Sequence, residues 1–316
     1  MNNATMGKND VTDKEIARIG PILQRLVWSD SSAREEIQKW GVNIVPVDFY
    51  SNTPSIEDIR NSYEYKENAP YLNESLFEQH VLGEILEQLN EYSSEFSPNT
   101  DGDERNCKEF FWQNSQFSYS DAMSYYCFIR KYKPSRIFEI GSGFSTLVAI
   151  EAVRQNGFGR IICVEPFPRP FLERNTDIEL LRKRAQELHP EFLNEVLQDG
   201  DFLFIDSTHT VKTGSDCLHI YLRLLPRVKQ NVYVHVHDIG LPFGMPIDWL
   251  LERQIFWTEQ YLLLAFLIDN PKVKVLYGSA YHHALNREAL DTFMRNKWPS
   301  GGGSFWFKYD GTRKTR

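Results

Sequence analysis

The rhythm of hydrophobic and polar positions changes near residue 134. Before it the pattern is helical or irregular. Ile16, Ile19, Ile22, Leu23 and Leu26 recur at helical spacing and predict an amphipathic helix, which Gly20 and Pro21 would kink or split. Residues 76–89 predict a second helix. The run GVNIVPVDF at 41–49 is rich in β-formers but carries Pro46, which restricts it to an edge strand or an extended loop. Residues 93–105, rich in Ser, Asp, Asn, Gly and Pro, read as a linker. There is no internal repeat.

From residue 134 onward, short apolar runs alternate with helical patterns. Strands are expected at 136–140, 160–164, 202–205, 231–237, 273–277 and 304–309. Residues 180–186 suit either a further strand or a helix. Helices are expected at 145–155 and 214–225, with one long helix at 249–268. This alternation implies an α/β fold, a mostly parallel sheet covered on both faces. Ligands of such sheets bind beyond the carboxyl ends of the strands.

Two features there carry chemistry. The first is FEIGSGFST at 138–146, an apolar strand that runs through Glu139 into Gly141 and Gly143 and then into a helix start. The glycines permit a tight turn and close approach of a ligand to backbone. Glu165, 24 positions after Gly141, ends the next strand, where a carboxylate can accept from two ribose hydroxyls. A nicotinamide site would share this geometry. However, Thr146 stands where a dinucleotide motif has its third glycine, and Glu139 would repel a pyrophosphate.

Four segments in register, FEIGSGFST, IICVEP, DFLFIDSTH and YVHVHDIGLP, resemble the class I S-adenosylmethionine-dependent methyltransferases. Within them the resemblance is to the family 24 type, related to small-molecule O-methyltransferases, and it spans about residues 110–310. It implies a doubly wound seven-stranded sheet with an antiparallel last strand, a part that SFWFKY fits. It divides the chain into a mainly helical extension, 1–105, covering the substrate, and a methyltransferase domain, 106–316. It also implies that Glu139, Gly141 and Gly143 hold the methionine part of S-adenosylmethionine and Glu165 the ribose. Ser145 and Thr146 would lie alongside, Gln186 would reach toward the adenine, and Asp121 would line the cofactor or acceptor side.

The second feature is Asp206, His209, His237 and Asp238, at the ends of two strands expected to be neighbours about 4.8 Å apart. Carboxylates and an imidazole there can bind a divalent ion, which would lower the pKa of an acceptor hydroxyl. His209, with an ordinary pKa near 6.5, suits a general base. The layout resembles the metal-dependent sugar O-methyltransferases of macrolide pathways, in which an Asp-x-x-His segment supplies a ligand and a base. That implies Asp206, His237 and Asp238 as metal ligands and Asp206 and His209 as the catalytic pair. His237 departs from the resemblance, which has a second acid there. The change favours Mn²⁺, Fe²⁺ or Zn²⁺ over Mg²⁺, and equally fits a site without metal. His235, on the same strand face as His237, reads as a buried structural histidine. His282 and His283, if extended, point apart.

Composition narrows the setting. Lys and Arg total 35 against 43 Asp and Glu, a net charge of −8, which argues against a nucleic-acid partner. The four cysteines form no C-x-x-C pair and suit a reducing compartment. The polar start lacks a secretory apolar stretch, and no apolar run approaches the ~20 residues of a membrane span. A soluble cytoplasmic enzyme without a membrane partner is expected. Aromatic residues reach 14%. The aromatic-rich segments 43–53 and 110–119 suit an acceptor site, an oligomer interface or ordinary core. The expected reaction is O-methylation of a hydroxyl on a sugar, glycan or natural product. N-methylation of a small molecule, a repurposed non-catalytic fold and a nicotinamide oxidoreductase are the alternatives.

Overall fold

The computed structural model describes residues 11–313. They divide into two compact units, 11–62 and 63–316, the second with its last three residues outside the description.

In the first unit, α1 (Asp13–Val27) starts at a capping box. The Thr12 hydroxyl accepts from the Glu15 N–H, and the Glu15 carboxylate returns a bond to the Thr12 N–H. The helix runs unbroken through Gly20 and Pro21, so the expected split does not occur. Two shorter helices follow, α2 (Ser31–Gln38) and α3 (Ile56–Asn61). Residues 41–49 form no strand and are largely exposed. Ile59 is the one buried residue among those described in this unit.

The second unit holds one seven-stranded sheet. Its strands are β1 (Arg136–Ile140), β2 (Arg160–Val164), β3 (Ile178–Leu181), β4 (Phe202–Ile205), β5 (Asn231–Val236), β6 (Val273–Gly278) and β7 (Phe305–Asp310). Their order is β3-β2-β1-β4-β5-β7-β6. The first five are parallel, and β7 runs antiparallel to both neighbours. Most side chains of the parallel strands are apolar and buried on both faces, as a sheet covered on both sides requires, with Glu139 and His235 as buried polar exceptions. Along β4, Phe202 and Phe204 enter one core, while Leu203 and Ile205 enter the other.

The helices are α4 (Gln79–Ser93), α5 (Tyr119–Tyr132), α6 (Phe144–Asn156), α7 (Pro170–Glu173), α8 (Pro190–Val196), α9 (Asp216–His219), α10 (Ile247–Leu251), α11 (Glu259–Leu267), α12 (Ser279–Leu285) and α13 (Arg287–Met294). Four of these regions depart from the sequence pattern. The predicted helix 214–225 becomes α9 followed by a π-helical turn and a 3-10 turn at Pro226, whose missing N–H cannot continue the ladder. The predicted long helix 249–268 is two helices, because residues 252–258 leave helical geometry and Gln254 is left-handed at φ +54°. His282 and His283 follow β6 as expected but sit in the helix α12 rather than in extended chain. Finally, β3 takes only the start of the ambiguous run at 180.

Loop 93–105 belongs to the second unit. Phe96 is buried there, and the Lys297 ammonium donates to the carbonyls of Ser93, Ser94 and Phe96. The aromatic segment after it is core: Phe110, Phe111, Trp112 and Phe117 are buried. Beneath the sheet, Phe128 stacks on Trp306 at 3.9 Å and Trp306 stacks on His235 at 4.2 Å. His235 also bonds Ser304 Oγ at 2.6 Å, the structural role its strand position suggested.

Candidate active site

β1 lies where the chain reverses direction across the sheet, with β2 on one side and β4 on the other. This is the position at which open α/β sheets leave a ligand crevice. The register sets its floor. Ile140, Ile205 and Val236 are aligned across β1, β4 and β5. Gly141, Asp206 and His237 therefore leave the sheet at one level.

The turn after β1 is built around Gly141. Its φ is +84°, and a Cβ there would stand 2.0 Å from the carbonyl oxygen of Asp206. Only glycine lets the two strand ends come this close. Below the turn, Glu139 is fully buried, and its oxygens accept from Tyr125 Oη at 2.9 Å and Thr146 Oγ1 at 2.6 Å. Thr146 Oγ1 in turn accepts from the Gly143 N–H at 3.2 Å, fixing the start of α6. Burial pushes the Glu139 carboxyl up to about 7, although these donors oppose the shift. Ser145 and Thr146 are buried in the first turn of α6. Above the turn, Glu165 accepts from the Ser142 N–H at 3.3 Å and the Phe167 N–H at 2.8 Å while staying partly exposed. Gln186 lies farther along, its amide donating to the Gly214 carbonyl at 3.1 Å.

Asp206, His209, His237 and Asp238 do converge. His209 Nε2 lies 3.2 Å from Asp206 Oδ1 and 3.6 Å from Asp238 Oδ2. His237 Nδ1 lies 3.4 Å and 3.7 Å from the same two oxygens. His209 and Asp238 both hold left-handed backbone, φ +58° and +57°. Such strain costs about 1–3 kcal/mol per residue and persists where surrounding structure imposes it. The far nitrogen of each imidazole meets a buried carboxylate. Glu259 Oε2 takes His209 Nδ1 at 2.7 Å, and Asp121 Oδ2 takes His237 Nε2 at 3.2 Å.

Sequence reading missed Glu259, because it placed that residue inside a long helix. It is instead the first residue of α11. Its N–H and that of Thr258 donate to the His209 carbonyl at 3.0 and 2.8 Å. Its carboxylate also accepts from Ser207 Oγ at 2.7 Å and Tyr221 Oη at 2.8 Å. The same loop brings half-buried Trp257 against the His209 ring, centroids 4.3 Å apart, with Trp249 edge-on to Trp257 at 5.3 Å.

Charge is concentrated here. Burial alone would lower the His209 pKa, but the bonds to Asp206 and Glu259 outweigh it and push it up to about 10. Burial would raise Asp206, but His237 and His209 hold it far below the usual range. Asp238 is raised, chiefly by burial. His237 stays well above its ordinary value, because Asp238, Asp206 and Asp121 overcome the burial penalty.

A family described as a methyltransferase domain matches residues 138–239, the stretch from β1 through Asp238. An uncharacterized protein of Archaeoglobus fulgidus is 32% identical over 170 residues, which cover 51% of this chain and 72% of the relative. Through residues 138–239 the chain belongs to the class I S-adenosylmethionine-dependent methyltransferases. Among solved structures, it is similar to the plantazolicin methyltransferase BpumL in complex with SAH, at 10% identity over 93% of this chain and 99% of that one, TM-score 0.37. As a methyltransferase, the protein uses S-adenosylmethionine as its methyl donor. No helix among the described residues is long and apolar enough to cross a membrane.

Proposed function

We propose that this methyltransferase methylates a hydroxyl of a sugar or related small natural product, with His209 removing the hydroxyl proton. The observation that carries the reading is the Glu259–His209 pair, set beside Asp206 at the level of the Gly141 turn. A buried carboxylate on Nδ1 fixes the ring and leaves Nε2 facing the cluster, the arrangement a general base needs. His209 is the imidazole on the acceptor side. It packs on half-buried Trp257, whereas His237 is walled by buried Phe117 at 4.8 Å. In the ligand-free cluster, Asp206 and Glu259 support a proton on His209; a cation engaging Asp206 would withdraw the Asp206 part of that support. The turn at Gly141 and Gly143 would receive the methionine part of the cofactor, and Glu165 the ribose. Buried Glu139 would act from beneath by holding the turn through Thr146.

The residues also fit a divalent ion. Oxygens of Asp206 and Asp238 and a nitrogen of His209 lie within 4.8 Å of one another, and His237 Nδ1 faces the same two oxygens. Asp206, Asp238 and His237 would hold the ion, a set of two oxygens and one nitrogen suited to Fe²⁺, Mn²⁺ or Zn²⁺. Such an ion supplies Lewis-acid polarisation of the acceptor oxygen.

Calorimetry with SAH and with NADH, followed by transfer of labelled methyl from S-adenosylmethionine to hydroxylated acceptors, tests the reading. SAH should bind and NADH should not. His209→Ala should bind SAH normally and lose about 10²–10⁴-fold in kcat. Full activity of His209→Ala would remove the base, and transfer unaffected by EDTA would remove the metal.

A further inference from the structure

Asp121 lies outside the sheet, in the first turn of α5, yet it reaches the centre of the cluster. It is 3% exposed. Its Oδ1 accepts from the Ser304 N–H at 2.7 Å and from Ser279 Oγ at 2.8 Å. Its Oδ2 accepts from the Gly303 N–H at 2.9 Å and meets His237 Nε2 at 3.2 Å. The chain before β7 folds closely around this carboxylate. At Gly302, φ +100°, a Cβ would stand 2.4 Å from both oxygens. Residue 121 is thus immobilised with one acceptor direction left, toward His237.

That arrangement decides which way His237 works. A carboxylate offers an acceptor, so the hydrogen of the neutral imidazole sits on Nε2 and the lone pair on Nδ1. The lone pair then faces Asp206 Oδ1 and Asp238 Oδ2 at 3.4 and 3.7 Å. With Asp121 holding the hydrogen on Nε2, Nδ1 is the nitrogen that can meet a cation placed between those two oxygens. A second observation is geometric: the Asp206 and Asp238 oxygens face His237 Nδ1 on one side and His209 Nε2 on the other, so four ligand-type atoms converge on one point.

We propose that Asp121 is a positioning residue that fixes His237 as the nitrogen ligand of a divalent transition-metal ion shared with Asp206 and Asp238. The inference rests on the metal-assisted reading above. It adds the element that makes a histidine workable where the resemblance has an acid: a remote carboxylate that sets its tautomer. Carboxylates in this outer position change metal affinity by about 10–100-fold.

The test uses the full-length protein and Mn²⁺ alone as probe. Calorimetry should show Mn²⁺ binding about 10–100-fold weaker in Asp121→Asn, with SAH binding unchanged. In a His237→Ala background, Asp121→Asn should produce no additional loss, because its effect runs through His237. Pulsed EPR of bound Mn²⁺ should show ¹⁴N modulation in the wild type that His237→Ala abolishes. Wild-type Mn²⁺ affinity in Asp121→Asn, or an equal loss in the His237→Ala background, overturns the proposal. So does a wild-type spectrum without ¹⁴N modulation, or one that survives His237→Ala; these two measurements decide even if Asp121→Asn fails to fold. Protein that binds SAH and transfers methyl but lacks the nitrogen signal loses this inference and keeps the proposed function.

Discussion

Single residues show how much of the site is held from below. Glu139 stands in a motif that suggests contact with the cofactor, and its two oxygens also accept from Tyr125 and Thr146. The acid just before the glycines thus holds the turn as well, a role that spacing alone does not show. Its burial has a measurable consequence. The folded pKa, about 7, lies above the ordinary 4.5. The stability this group contributes is fully present below pH 4.5 and is lost as pH rises through 7. The shift corresponds to about 3 kcal/mol at alkaline pH. Glu139→Gln should abolish that slope. Urea unfolding of both proteins between pH 4.5 and 8 checks this: the variant's relative stability should climb by up to that amount. A constant difference across the range would show that Glu139 does not titrate on folding.

At the scale of elements, most of the parallel strands were legible because they are short apolar runs bounded by turn residues, whereas β3 was left open between strand and helix. The expected 136–140, 160–164 and 202–205 coincide with β1, β2 and β4. Asp206, His209, His237 and Asp238 were legible for the same reason, since they follow strand ends whose adjacency the fold dictates. The region 249–268 was not legible. Its hydrophobic residues continue across the break, and the features that make the break are local: left-handed Gln254 and the docking of α11 on the His209 carbonyl. Both Glu259 and Trp257 were hidden there. In the aromatic segment 110–119 the ordinary-core reading holds for Phe110, Phe111, Trp112 and Phe117, a choice the sequence leaves open because core and ligand-facing aromatics look alike there. The loop, by contrast, puts Trp257 beside the proposed base with part of its surface exposed. Trp257→Ala should raise the acceptor KM about 3- to 10-fold, the worth of one aromatic contact, and leave SAH affinity unchanged. Trp257→Phe should recover most of the loss. Steady-state kinetics with saturating donor, alongside SAH calorimetry, would read this. An unchanged KM in both variants would place the acceptor elsewhere.

For the whole molecule, the question is which part of the chain carries the cofactor site. Among the described residues, every strand, both cores and all members of the cluster lie within 63–313. A boundary near 105, where composition suggests a linker, would remove α4. That helix buries Val81, Leu82, Leu86 and Leu89, and these pack in the two cores. Losing several such side chains at about 2–5 kcal/mol each exceeds the margin of a typical domain. In residues 11–62, by contrast, Ile59 is the one buried side chain among those described. A chain beginning at Tyr63 should therefore fold and bind SAH within about twofold of the full-length affinity, whereas one beginning at residue 106 should not fold. Thermal unfolding provides the comparison. SAH at a hundred times its Kd adds about 2.7 kcal/mol to the folded state, which for a chain of this size moves Tm by roughly 5–10 °C. The full-length protein and the chain from Tyr63 should show the same rise. If the shorter chain folds but the rise is absent, residues 1–62 complete the cofactor site. If the rise is equal and only acceptor turnover falls, they act on the acceptor side.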